Sequence, residues 1–168
     1  MFDSAVGHRH GSERAWTQHL STTAGAMALL EAVRGAPLPV HLVATLDEVL
    51  QALGAGDAEH LITHQLHLDG RYPDVAVHDV RDRLFAVVEA QRRRADDRHI
   101  AKLAAHYVPN SGARLGVLVA EGWRSSDARH PAWAACPAPV VVVLALDTMH
   151  EVTYEVAWVH HPAGPDDP

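Results

Sequence analysis

The 168-residue chain reads as an α+β fold, an antiparallel sheet with helices packed on one side and approximate two-fold symmetry. Three observations predict it. Residues 46–80 and 125–160 repeat one pattern: short helix, break, apolar strand, tight turn, second strand. Identity between the copies is low, so the repeat lies in pattern. An isolated hairpin is marginal in water, which predicts that the two units pair in one sheet. The second observation is the β-branched and aromatic pair Val140 to Leu146 and Val152 to Val159, joined by Asp147-Thr148-Met149-His150. The third is helical spacing before and between the repeats.

The elements follow in order. Residues 1–12 and the tail 163–168 carry no periodic apolar signal and are expected to be loose. Thr22 to Arg34 places Ala26, Leu29, Leu30 and Val33 on one helical face, with Ser21 or Thr22 as N-cap. Pro37 and Pro39 favour extended backbone, so Val40 to Ala44 is expected as a short strand. Asp47 to Leu53 makes a helical turn or two before Gly54-Ala55-Gly56. His60 to Leu68 and Asp74 to Val80 read as a hairpin about the turn signal Asp69-Gly70. Leu84, Phe85, Val87 and Val88 predict a helix over Asp82 to Arg94, and Ile100, Leu103 and Ala104 another over Arg98 to Tyr107, broken by Pro109-Asn110-Ser111-Gly112. Leu115 to Ala120 is short enough to be a strand or a helix start.

Composition narrows the function classes. A hydrophobic share of 48% suits one globular domain over residues 1–168. The longest apolar run, Val140 to Leu146, falls far short of the roughly 18 residues that span a bilayer. With no signal-peptide stretch at the start, the expectation is a cytoplasmic protein without a membrane partner. Fourteen Lys and Arg against 21 Asp and Glu leave a net charge of -7, so nucleic acid is not an expected partner. The single cysteine, Cys136, excludes an internal disulfide and a thiolate zinc cage. Signature motifs of common hydrolases, nucleotide enzymes and zinc proteases are absent.

Four stretches carry a resemblance: Leu-Glu-Ala-Val-Arg-Gly-Ala-Pro-Leu-Pro-Val at 30–40, His-Gln-Leu-His-Leu-Asp-Gly-Arg-Tyr-Pro at 64–73, Pro-Val-Val-Val-Val-Leu-Ala-Leu-Asp at 139–147 and Tyr-Glu-Val-Ala-Trp-Val at 154–159. Over residues 16–162 the chain resembles the chorismate lyase-like fold, shared with the UTRA effector-binding domains of GntR-type regulators. The resemblance implies a six-stranded antiparallel sheet and a small-molecule pocket, used for pyruvate elimination or for sensing. It also implies an acidic residue in the last strand, here Glu155. The strand arginine of the lyases is replaced by Ile62, Thr63 and His64, which disfavours a dianionic substrate.

Site candidates follow from the residues and the repeat. Glu151, Thr153 and Glu155 share one face of the last strand; if that face lines a cavity, burial fits Glu155 for acid or base work. His64, placed by the pseudo-symmetry, would exchange the proton. Arg83 and Arg114 are candidates for an acidic ligand group, and Trp123 for lid packing or stacking. Among the 14 histidines, His60 and His64 share a strand face and His67 takes the other, so a metal site would need His78 or Glu155 to complete it. No metal is expected, and His78 joins the ligand-binding candidates. The leading expectation is a stand-alone small-molecule enzyme catalysing elimination, cyclisation or isomerisation of a hydrophobic or aromatic carboxylic metabolite without a cofactor. The alternative is a non-catalytic UTRA-like sensor without a DNA-binding domain. An open sheet edge permits a homodimer.

Overall fold

The computed structural model describes residues 19–54, 62–63, 66–147 and 151–164. Helix α1 (Thr23–Arg34) starts where expected: Thr22 is extended at φ -89 and ψ 153, and its hydroxyl accepts the Gly25 N–H at 3.0 Å. Capping of this kind satisfies one of the four amides that a first turn leaves unpaired. Helix α2 (Val40–Gly54) begins at the residue expected to open a strand. Pro37 and Pro39 lie just outside it, and the Pro39 carbonyl accepts Leu42 N and Val43 N, so the prolines lead into the helix. Leu42, Leu46, Val49, Leu50 and Leu53 then share one buried stripe, and an Arg34–Asp47 ion pair ties α2 to α1.

The sheet has six strands: β1 (Ile62–Thr63), β2 (Val75–His78), β3 (Leu84–Ala90), β4 (Leu115–Ala120), β5 (Val140–Asp147) and β6 (Val152–His160). Their spatial order is their chain order. Pairs β1/β2, β2/β3 and β5/β6 are antiparallel, whereas β3/β4 and β4/β5 are parallel, so the sheet is mixed where a purely antiparallel one was expected. The two repeat hairpins sit at opposite edges of this sheet, separated by β3 and β4, and do not pair with each other. Strand β3 replaces the helix expected over Asp82 to Arg94. Both its faces are covered, so Phe85-Ala86-Val87-Val88 is a continuous apolar run with no strand alternation to reveal it.

Parallel neighbours need a crossover. From β3 to β4 it runs through α3 (Asp97–Lys102), a π-helical turn (Leu103–Tyr107) and α4 (Val108–Ser111). Pro109 lies inside this run instead of breaking it; the residue that stops it is Gly112, left-handed at φ 70. Proline has no N–H for the helical ladder and crowds the carbonyl four residues back, and the wider π turn immediately upstream relaxes both demands. From β4 to β5 the chain passes through two 3₁₀ turns, Asp127–Arg129 and Pro131–Ala135.

Helices therefore cover both faces of the sheet, where one-sided packing was expected. One face buries Leu30, Leu46 and Val49 of α1 and α2 against Phe85, Val88, Val117 and Val141. The other buries Ile100, Leu103 and Tyr107 against Val87, Leu118 and Val142, with Trp133 and Cys136 at its margin. Each such aliphatic or aromatic side chain contributes about 1.5–3 kcal/mol. Cys136 is buried, and burial pushes its thiol up, which suits a packing residue. Among the described residues no helix is long and apolar enough to cross a membrane.

Candidate functional site

The β2/β3 register pairs Val75 with Val88. One step further along that ladder, Asp74 stands across from Glu89, so two carboxylates face each other on neighbouring strands. Asp74 Oδ2 accepts the Ala90 amide at 2.8 Å, which holds it there. Side chains alternate along β3, and since Val88 packs on the α1/α2 face and Val87 on the other, Glu89 lies on the α3 side. Glu89 is only 2% exposed. Its Oε1 accepts Lys102 Nζ at 2.7 Å, while its Oε2 is buried with no hydrogen-bond partner. Burial pushes the Glu89 carboxyl up, the neighbouring Asp74 charge adds to that, and Lys102 offsets only part of it.

Lys102 reaches this point because α3 is short and firmly capped. Asp96 is extended and accepts His99 N at 2.9 Å and His99 Nδ1 at 2.7 Å, fixing the first turn. Burial pulls the Lys102 ammonium down, but its bond to Glu89 and the Glu89 charge outweigh this and hold it above its ordinary value. The ammonium also sits 5.6 Å from the centre of the Tyr107 ring. Gln91 follows Glu89 on the same face. Its Nε2 donates to Arg94 O at 2.7 Å and its Oε1 accepts Asp96 N at 3.1 Å, so both ends of the amide brace the loop into α3.

Lys102 and Tyr107 line an open cleft of about 620 Å³, with Arg71, Tyr72, Arg98 and His106 around them. Three of these six side chains are cationic. The segment that carries Arg71 and Tyr72 is docked on the π-helical turn: Tyr107 Oη donates to Tyr72 O at 3.0 Å and His106 Nε2 to Leu68 O at 3.2 Å. π turns of this kind recur at functional sites. In a chain with a net charge of -7, this is cationic surface set apart from the average.

The residues chosen from sequence lie elsewhere. Glu155 is exposed on β6, opposite Leu144, and borders neither the 620 Å³ cleft nor the groove beside Arg114. His64 falls outside the described residues. Arg83 is spent on the β2–β3 turn, where Nε and Nη2 donate to Asp79 Oδ2 at 2.9 and 2.8 Å. Arg114 donates to Thr45 Oγ1 at 3.0 Å, lies over Phe85, and borders a separate groove of about 430 Å³ with His41 and His161. His78 ends β2 across from Leu84, its Nδ1 buried without a partner. Trp123 stacks on Trp158 at 5.4 Å in a cluster with Trp133. His78, Arg83 and Arg114 thus gather where β3 and β4 begin, while Trp123 and Glu155 lie towards the other end of the sheet; no single site unites them.

Asp74, Glu89 and Lys102 were missed because Glu89 in a helix over 82–94 would face solvent. One signal was present: a carboxylate inside the apolar run Phe85 to Ala90 is a charge that a strand reading must bury, and buried charges need a partner. Among the described residues no three His, Cys, Asp or Glu side chains gather as a complete metal-ligand set. Comparison with family models, curated proteins and solved structures gives no match.

Proposed function

We propose that the chain is a divalent-cation-dependent phosphoester hydrolase centred on Asp74, Glu89 and Lys102. The observation that carries this reading is the buried, unpartnered Oε2 of Glu89 beside a second carboxylate. Two facing carboxylates repel, and an unpaired buried oxygen is costly; a cation answers both. The lysine alone satisfies one oxygen. A hard cation such as Mg²⁺ is commonly held by one or two carboxylates, with water and substrate phosphate filling its other positions, so no third protein ligand is required. This departs from the expectation that no metal takes part.

When bound, the cation would polarise the phosphoryl group and lower the pKa of a bound water. Asp74 and Glu89 would hold it beside Lys102, whose side chain borders the cleft. Lys102, kept protonated by Glu89, presents an N–H to the ester oxygen that takes up charge. The water oxygen bonds to phosphorus, the P–O bond to the alcohol breaks, the alcohol oxygen takes up a proton, and the water's surplus proton passes to solvent. Arg71 and Arg98 draw the anion into the cleft. The elimination or isomerisation chemistry expected from sequence needs an enclosed Glu155, and no observation favours it.

Hydrolysis of bis(p-nitrophenyl) phosphate in Mn²⁺ tests the proposal. Activity should vanish in chelator and fall at least about 100-fold, or about 2.7 kcal/mol, in Glu89→Gln. Activity that survives in chelator or in Glu89→Gln overturns it.

A further inference from the structure

The cleft holds more than cations. Tyr72 is an aromatic side chain left 56% exposed at its rim. Its backbone is anchored. Leu68 and Arg71 exchange backbone hydrogen bonds at 2.8 and 3.0 Å around Asp69 (φ 48) and Gly70 (φ 80). Gly70 N donates to His67 Nε2 at 2.9 Å, and the His67 ring lies 5.0 Å from that of Tyr72. Tyr107 and His106 pin the same segment to the π-helical turn. An exposed ring on an anchored backbone loses little freedom when something flat settles on it. Arg71, its neighbour in sequence, is exposed, and Arg98 is exposed across the cleft on α3.

We infer that the ester hydrolysed here belongs to a single-stranded nucleic acid, one base of which stacks on Tyr72 while Arg71 and Arg98 take the flanking phosphates. This rests on the phosphoester reading above and names its substrate class. A flat base with a free face is what an exposed aromatic ring on an anchored backbone recognises, and phosphates are what a pair of guanidiniums recognises. A duplex offers the phosphates but not the face, since its bases are already stacked on each other. Stacking and charge therefore select the unpaired strand together, against the expectation drawn from the net charge. The chain-wide charge is negative, but the recognition surface is not.

The test is fluorescence anisotropy with a fluorescein-labelled deoxyoligonucleotide, alone and annealed to its complement, in Ca²⁺ to hold turnover back. The single strand should bind about 10-fold tighter than the duplex, Tyr72→Ala should lose about 10-fold, and Tyr72→Trp should retain affinity. Arg71→Ala and Arg98→Ala should each flatten the salt dependence by about one unit of slope. A strand carrying 5-iodouracil should photo-crosslink to Tyr72, a contact that a merely structural tyrosine would not make. Equal or tighter duplex binding, or an unchanged affinity in Tyr72→Ala, overturns the inference even if Mn²⁺-dependent hydrolysis of bis(p-nitrophenyl) phosphate stands. Tyr72-dependent binding of single strands with no cation-dependent hydrolysis leaves the nucleic-acid site and removes the hydrolase. Absence of both overturns both.

Discussion

Replacing Asp74 by Asn should make the cation-free protein more stable and the cation-loaded protein less so. Asp74 and Glu89 lie one step beyond the Val75–Val88 pair of the β2/β3 ladder, and Glu89 is too buried for water to screen the pair. Like charges so placed cost up to about 1 kcal/mol. Asn keeps an oxygen for the Ala90 amide, so that bond survives while the charge is removed. In a domain of this size about 1 kcal/mol moves the melting temperature by about 2–4 °C. A cation at a hundred times its Kd adds about 2.7 kcal/mol to the wild type, a rise of about 5–10 °C. Thermal melts followed by circular dichroism in chelator and in Mn²⁺ should therefore cross over between the two proteins. The pH dependence has a fixed sign. The folded pKa of Glu89 lies above its ordinary 4.5, so the stability linked to its proton is present below that value and lost as pH rises through the folded pKa. In chelator this loss should shrink in Asp74→Asn, because the repulsion behind part of it is gone. A variant that melts lower in chelator, or that keeps the full Mn²⁺ shift, refutes the facing-carboxylate reasoning.

Lys102→Met breaks the buried ion pair and strands Glu89, costing about 3–5 kcal/mol in urea denaturation at neutral pH; the cost should fall in acid, where Glu89 takes up its own proton. Asp79 is buried, yet bonds from Arg83 and Arg81 overcome the burial and hold its carboxyl below the ordinary 3.8. Its contribution is present above that value and lost as pH falls through the folded pKa, so Asp79→Ala should cost about 1–3 kcal/mol at pH 7 and converge with wild type in strong acid. Gly116→Ala would set a methyl 2.9 Å from Val108 Cγ2 and 3.0 Å from Val140 Cγ2, which a stiff valine cannot evade; overpacking of about 1–3 kcal/mol should appear as a lower urea midpoint.

Elements with a helix cap or with strongly β-branched content were legible in the sequence. Thr22, Leu29, Leu30 and Val33 announce α1, and the pairing of β5 with β6 follows from their β-branched and aromatic content. Strand β3 has apolar neighbours on both faces, so its side chains show no period, and with it hidden the parallel ladders to β4 and β5 could not be drawn. Val40 misled for another reason: two prolines argue for extended backbone equally well before a strand and before a helix. The candidate site was invisible for the same cause as β3. Asp74 and Glu89 are fifteen positions apart and meet only when two strands run back along each other, and Lys102 arrives from a crossover whose existence depends on the parallel pair.

The π-helical turn between Lys102 and Val108 acts as a spacer with a set phase. Each helical residue advances the chain by about 100°, so deleting one residue from Leu103–Tyr107 would swing everything before it by more than a quarter of a revolution against everything after it. Lys102 would then point away from Glu89 while Val108 still sat on the sheet, or the reverse. Length variation across this stretch should thus be far less tolerable than ordinary substitution, and the extra residue that widens the coil is itself part of what lets one helix serve both a wall and a floor.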